Sequence, residues 1–95
     1  SVSAEKIQKC VTDFYNIKIA DLKSKKKLKA LSHPRQVAMY LCRKLTKNSL
    51  PDIGRLFGGK DHTTVLHAVR KIEKMAESDP VFKKDIESIE RIIIN

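Results

Sequence analysis

Apolar residues recur along this chain at intervals of three and four, and strict alternation is nearly absent. Ser3 reads as a helix N-cap, with Val2 before it and Ile7 after it at the spacing of a hydrophobic staple. Ile7, Cys10, Val11 and Phe14 then predict one buried stripe, ended by Asn16. Ile17-Lys18-Ile19 reads as a brief extended link. Lys23 to Ser32 reads as a basic connector, and Pro34 suits the first turn of a second helix, where its missing N–H costs nothing. Val37, Ala38, Leu41, Cys42 and Leu45 give that helix one apolar face. Ser49, with an acid three residues on at Asp52, caps a short helix that turns Ile53, Leu56 and Phe57 inward. Gly58-Gly59 stops it, because glycine takes left-handed backbone geometry cheaply. Asp61 caps a longer helix with inner face Val65, Ala68, Val69 and Ile72. Ser78-Asp79-Pro80 opens a last one with Phe82, Ile86, Ile89 and Ile93 inward. The expectation is an all-α fold of five to six helices.

Ninety-five residues, 41% of them apolar, suit a single folded domain over 1–95. No apolar run approaches the ~20 residues of a membrane span. Two cysteines without a Cys-x-x-Cys pair argue against a disulfide scaffold or zinc knuckle and fit a reducing compartment. The net charge of +9 is unevenly spread. Residues 21–47 hold nine Lys/Arg against one acid, a net +8, whereas 48–79 and 80–95 are each neutral. Such a block seeks polyanions, nucleic acid before acidic lipid, but does not by itself read sequence.

A short helix, a glycine turn and a longer helix, over 49–57, 58–60 and 61–76, have the layout of a helix-turn-helix. In that unit the second helix enters the major groove with its N-terminal residues, here Asp61, His62, Thr63 and Thr64. All four can hydrogen-bond base edges or phosphates, and threonine methyls can meet the thymine methyl. Other chemistries find little support. Gly54 to Lys60 fits part of a phosphate-binding loop, but Asp61 stands where the magnesium-holding Ser/Thr belongs and the segment leaves a helix. His62 and His67 lie about 140° apart on a helix, with no third ligand nearby, so no metal is expected. No paired acids or nucleophile–base pair points to an enzyme, and no cofactor is expected. Cys10 and Cys42 lie on apolar stripes and read as core, and His33 as the entry to a helix.

The run Ile53-Gly54-Arg55-Leu56-Phe57-Gly58-Gly59-Lys60-Asp61-His62-Thr63-Thr64-Val65-Leu66-His67-Ala68 closely resembles the signature of the bacterial DnaA replication-initiator family, in its C-terminal DNA-binding domain. Pro34-Arg35-Gln36, Ser49-Leu50-Pro51 and Arg70-Lys71-Ile72 extend the resemblance over essentially the whole chain. Lys60 stands where arginine is usual, and the basic loop is all lysine. The resemblance implies origin-box binding for chromosome replication by a piece of a larger initiator whose ATPase domain lies elsewhere. It implies base reading by Asp61, His62, Thr63 and Thr64 with help from Pro51, and entry of Lys27, on a basic loop over 23–29, into the adjacent minor groove. Lys25, Arg35, Gln36, Arg43 and Lys71 are implied near phosphates. It further implies a bacterial cytoplasmic, nucleoid-associated setting, regulatory proteins of initiation as partners, and a monomer as isolated domain.

The rival expectation is an adaptor for acidic phospholipids or a partner protein, built on the 21–47 block. Leu22, Leu28 and Leu31 make no strong stripe, so any insertion would be shallow. A general transcription-factor role is a third option, because fold does not decide biological role.

Overall fold

The computed structural model describes residues 1–95 and contains six helices and no strand: α1 (Ala4–Tyr15), α2 (Ile19–Lys23), α3 (Lys29–Leu45), α4 (Leu50–Leu56), α5 (His62–Ser78) and α6 (Pro80–Ile94). The expected start signals operate. Ser3 Oγ accepts from the Lys6 amide (3.1 Å), and Asn16, at φ 56°, closes α1 in left-handed geometry. Ser49 and Asp52 exchange reciprocal bonds at the head of α4 (3.2 and 3.3 Å).

Two boundaries differ from the sequence pattern. α3 begins at Lys29, which puts Pro34 inside the helix. The proline deprives only the carbonyl of Ala30, an exposed residue that water can reach, while Leu28 O accepts from Leu31 and Ser32 to start the helix (2.9 and 2.8 Å). Ile19 is not part of an extended link but opens α2, where the Asp21 carboxylate accepts from the Lys18 amide (3.0 Å). The cap of α6 is Asp79, within the expected Ser78-Asp79-Pro80 start; its Oδ1 accepts from Val81 and Phe82 (3.0 and 3.1 Å).

The inward stripe of α1 is also rotated from expectation. Ala4, Ile7, Gln8, Val11 and Thr12 are buried, whereas Phe14 is 39% exposed. The polar members are accommodated by bonding: Gln8 Nε2 donates to Leu56 O (3.0 Å) and Thr12 Oγ1 to Lys9 O (2.9 Å). α3 runs through the middle with Val37, Ala38, Met39, Leu41 and Cys42 buried, and α1, α4, α5 and α6 supply Ile7, Ile53, Val65, Ile72, Ile86 and Ile89 to the same core. Lys44 Nζ meets Glu90 Oε1 at 2.9 Å and joins α3 to α6. No helix is long and apolar enough to cross a membrane.

Candidate nucleic-acid interface

α4, the turn after it and α5 form the expected helix-turn-helix, and the turn is built by close backbone contact. Gly54 O accepts from Phe57 N (3.2 Å) and Lys60 N (2.8 Å). A Cβ on Gly54 would lie 2.0 Å from Lys60 O, so only glycine fits this last turn of α4. Gly58 and Gly59 follow at φ 83° and 76°. A Cβ on Gly58 would lie 2.2 Å from Lys23 O, at the end of α2, whereas one on Gly59 would meet nothing within 4 Å. Gly58 thus lets the basic segment pack directly against the turn.

Beyond the turn, the first residues of α5 face solvent. Asp61, His62, Thr63 and Thr64 are all exposed. Asp61 caps the helix: its Oδ1 accepts from the Thr63 amide and hydroxyl, both at 2.8 Å, and lies 3.3 Å from His62 Nδ1. The Thr63 amide, then its hydroxyl, hold this carboxyl below its ordinary value. The Thr63 hydroxyl proton is committed to Asp61, which leaves that oxygen to act as an acceptor.

The basic loop, Ser24–Leu28, lies beside that first turn. Lys25, Lys27, Arg35, Gln36, Gly58, Gly59, Lys60, Asp61 and Thr64 line one groove. Six of the eleven expected site residues therefore meet in one place from three separate stretches of chain. The other five are distributed around it. His62 and Thr63 stand on the same first turn; Pro51 is exposed in the first turn of α4. Arg43, near the C-terminal end of α3, donates to Asn48 O (3.1 Å) and borders a cleft with Val69 and Glu73 of α5. Lys71 is exposed and near enough to His33 to disfavour its protonation.

Arg35, implied near phosphates, is buried against the basic loop. It is 6% exposed, and its guanidinium holds the loop: Nε donates to Leu22 O (3.1 Å), Nη1 to Lys26 O (3.0 Å), and Nη2 to Asp21 O (2.7 Å) and Ser24 Oγ (3.1 Å). Five donors on one planar fork let a single side chain satisfy several carbonyls at once. Desolvation lowers its pKa, partly opposed by nearby Asp21. Lys60, a residue the sequence assigned no role, donates Nζ to Ser24 O and Phe57 O, each at 2.8 Å.

Two further residues escaped the sequence reading. His33 is no mere helix entry: its ring lies between Tyr15 (5.7 Å, edge-on) and Phe82 (5.3 Å), joining α3 to α1 and α6. Burial is the main cause of its lowered pKa. Gly54 carried a legible signal, since a mid-helix glycine costs up to ~1 kcal/mol and demands a packing reason. Cys42 is buried and its thiol is pushed up to about 12 by that burial, which makes it inert core; Cys10 is half-buried.

Comparison with known proteins agrees with this architecture. A family model described as the bacterial dnaA protein helix-turn-helix matches residues 4–72. The chain is 54% identical over 94 residues to a chromosomal replication initiator protein DnaA of Geobacter metallireducens, covering 99% of this chain and 21% of that protein. It is 50% identical over 93 residues to the protein of the same name in Ehrlichia ruminantium, covering 98% and 20%. The chain thus spans about a fifth of the length of these curated relatives. A crystal structure of a DNA replication initiation factor superimposes with TM-score 0.81 at 38% identity, covering 95% of this chain and 28% of that one. With a six-helix fold, a helix-turn-helix at 50–78 and a family match over most of its length, the chain belongs to the bacterial DnaA helix-turn-helix family.

Proposed function

We propose that this domain binds double-stranded DNA sequence-specifically, at origin boxes, as the recognition module of a chromosomal replication initiator. The observation that carries the reading is the juxtaposition in one groove of the exposed start of α5 with the lysine-rich loop. α5 enters the major groove with Asp61, His62, Thr63 and Thr64 toward base edges and Pro51 alongside; a carboxylate can accept from the cytosine amine and a threonine methyl can pack on thymine. The basic loop lies along the adjacent minor groove with Lys27 inserted, where narrow A/T-rich segments concentrate negative potential. Lys25, Gln36, Arg43 and Lys71 face phosphates and fix register without reading bases. Arg35 serves the same contact indirectly, by shaping the loop. The relatives are chromosomal replication initiator proteins, which supports the biological assignment.

Gel shifts with an origin-box duplex and a scrambled duplex of equal length test the reading. Thr63→Ala and His62→Ala weaken the box selectively, while Lys25→Ala weakens both duplexes alike. Equal affinity of the folded wild type for both duplexes across several salt concentrations refutes it.

One observation favours a second surface role. Leu28, next to Lys25–Lys27, is 68% exposed, as a shallow anchor for anionic lipid requires. Leu22 is buried and Leu31 half-buried, so Leu28 stands alone among the three leucines of this segment, and DNA remains the better reading. Cosedimentation with anionic vesicles at physiological salt separates the two.

A further inference from the structure

Resting on the DNA reading above, we propose that Lys60 is a positioning residue that latches the basic loop to the helix-turn-helix, so that the two DNA-contacting elements dock as one preset unit. The argument begins with where Lys60 sits. It immediately precedes the α5 cap Asp61, and its own amide is fixed to Gly54 O at 2.8 Å. Its backbone is therefore part of the turn that aims α5. Its side chain runs the other way and bonds Ser24 O, 36 residues earlier, as well as Phe57 O. One residue thus ties the start of the loop to the start of the recognition helix.

The rest of the loop's anchorage leaves Lys60 a distinct task. Arg35 grips carbonyls of residues 21, 22 and 26 from α3, outside the helix-turn-helix. Gly58 contributes a close approach to Lys23 O but no donor from its missing side chain. Lys60 alone gives the turn a side-chain hydrogen bond to the loop. The loop backbone up to residue 26 is held, while the exposed Lys27 side chain makes no hydrogen bond or ion pair and is free to meet a ligand.

A preset loop has a specific energetic consequence. A flexible basic loop would have to be ordered at the moment of binding, which weakens association; fixing it beforehand removes that cost. The gain is available only if Lys27 then makes its contact. Lys60 and Lys27 are therefore coupled although they do different things. A Lys60 that merely met a phosphate would act independently, and its loss would add to that of Lys27.

The test is a double-mutant cycle in DNA binding joined to two NMR measurements on the free protein. Lys60→Met keeps the length of the side chain without its donors. Lys27→Ala is expected to weaken origin-box binding about tenfold in the wild-type background but only about twofold to threefold in Lys60→Met. In free Lys60→Met, the 15N heteronuclear NOE falls at Lys25–Leu28 and stays unchanged along α5, and Lys60→Arg restores it. In the free wild type, the Lys60 ammonium is motionally restricted relative to those of Lys25 and Lys27. This last comparison needs no variant and holds whether or not Lys60→Met folds. Additive binding losses, an unchanged NOE profile in folded Lys60→Met, or a Lys60 ammonium as mobile as that of Lys27 overturns the latch. If the wild type proves unselective for the origin box, the DNA reading fails, and the NMR measurements still decide whether the latch exists.

Discussion

Replacing Gly58 and Gly59 separately by alanine isolates the close approach between the basic loop and the turn. The two positions share nearly the same backbone, at φ 83° and 76°, so the left-handed penalty for a Cβ is common to both. That penalty is about 1–2 kcal/mol. At Gly59 the new methyl meets nothing within 4 Å, and the penalty is the whole cost. At Gly58 it would sit 2.2 Å from Lys23 O, against an ordinary contact of 3.4 Å or more, so backbone must retreat by about 1.2 Å. The contacting atom is a carbonyl, not the end of a pliant side chain. It adjoins Ser24, whose oxygens receive Lys60 and Arg35. Overpacking of this kind typically adds about 1–3 kcal/mol. The expected losses are therefore about 1–2 kcal/mol for Gly59→Ala and about 2–5 kcal/mol for Gly58→Ala. Global stability for a domain this size is about 5–14 kcal/mol, so the second variant remains folded unless the wild type sits at the low end. Urea unfolding at constant pH measures both, and a common m value shows that the same surface is being exposed. Origin-box affinity should fall further for Gly58→Ala, because its displaced segment carries the loop. Equal destabilisation by the two substitutions would refute the argument, since the shared strain would then account for everything.

Three other outcomes follow from the same geometry. Arg35→Met removes donors from Asp21 O, Leu22 O, Lys26 O and Ser24 Oγ while keeping the stem; a loss of about 2–3 kcal/mol in urea unfolding is expected, with unchanged stability as the contrary result. His33 has a lowered pKa, from burial first and then Lys71 and Lys29, opposed by Asp85, so the unfolded chain binds its proton more readily. Its contribution to stability is full above the ordinary value of 6.5 and is lost as pH falls below it, with a slope under the one-proton limit of about 1.4 kcal/mol per pH unit; His33→Phe should flatten the unfolding profile there. Origin-box binding, titrated with monovalent salt, should give a log–log slope of about −3 to −4, from the cations Lys25, Arg43 and Lys71 at phosphates and Lys27 in the minor groove; a slope near zero would remove the electrostatic part of the proposal.

Much of this domain could be read from local chemistry. Caps at Ser3, Ser49 and Asp61, the glycine stop at 58–59, and the inner faces of α5 and α6 are short-range features, set by hydrogen bonds and apolar spacing within a few residues. The exposed Asp61–Thr64 turn and the basic block were legible for the same reason: a helix start and a run of lysines are local facts. The misassignments lie where distant segments decide the outcome. Whether Phe14 or Thr12 faces inward depends on where α3 and α6 lie against α1, not on the period of α1 itself. Arg35 was implied near phosphates and His33 was read as a helix entry, yet carbonyls of residues 21, 22 and 26 bury the first and the rings of Tyr15 and Phe82 half-cover the second.

The sequence by itself determined an all-helical domain of this family, a helix-turn-helix whose second helix has a polar start, and a separate cationic segment, because periodicity, capping and charge are written residue by residue. Only the tertiary structure decided that the cationic segment lies against that helix start and that Lys60, Arg35 and Gly58 hold it there. The physical reason is that an ammonium can bond either a phosphate or a backbone carbonyl, and the residues around it in sequence do not say which acceptor comes within reach. Which one it bonds is set by the packing that brings Ser24 to within 2.8 Å of the Lys60 ammonium.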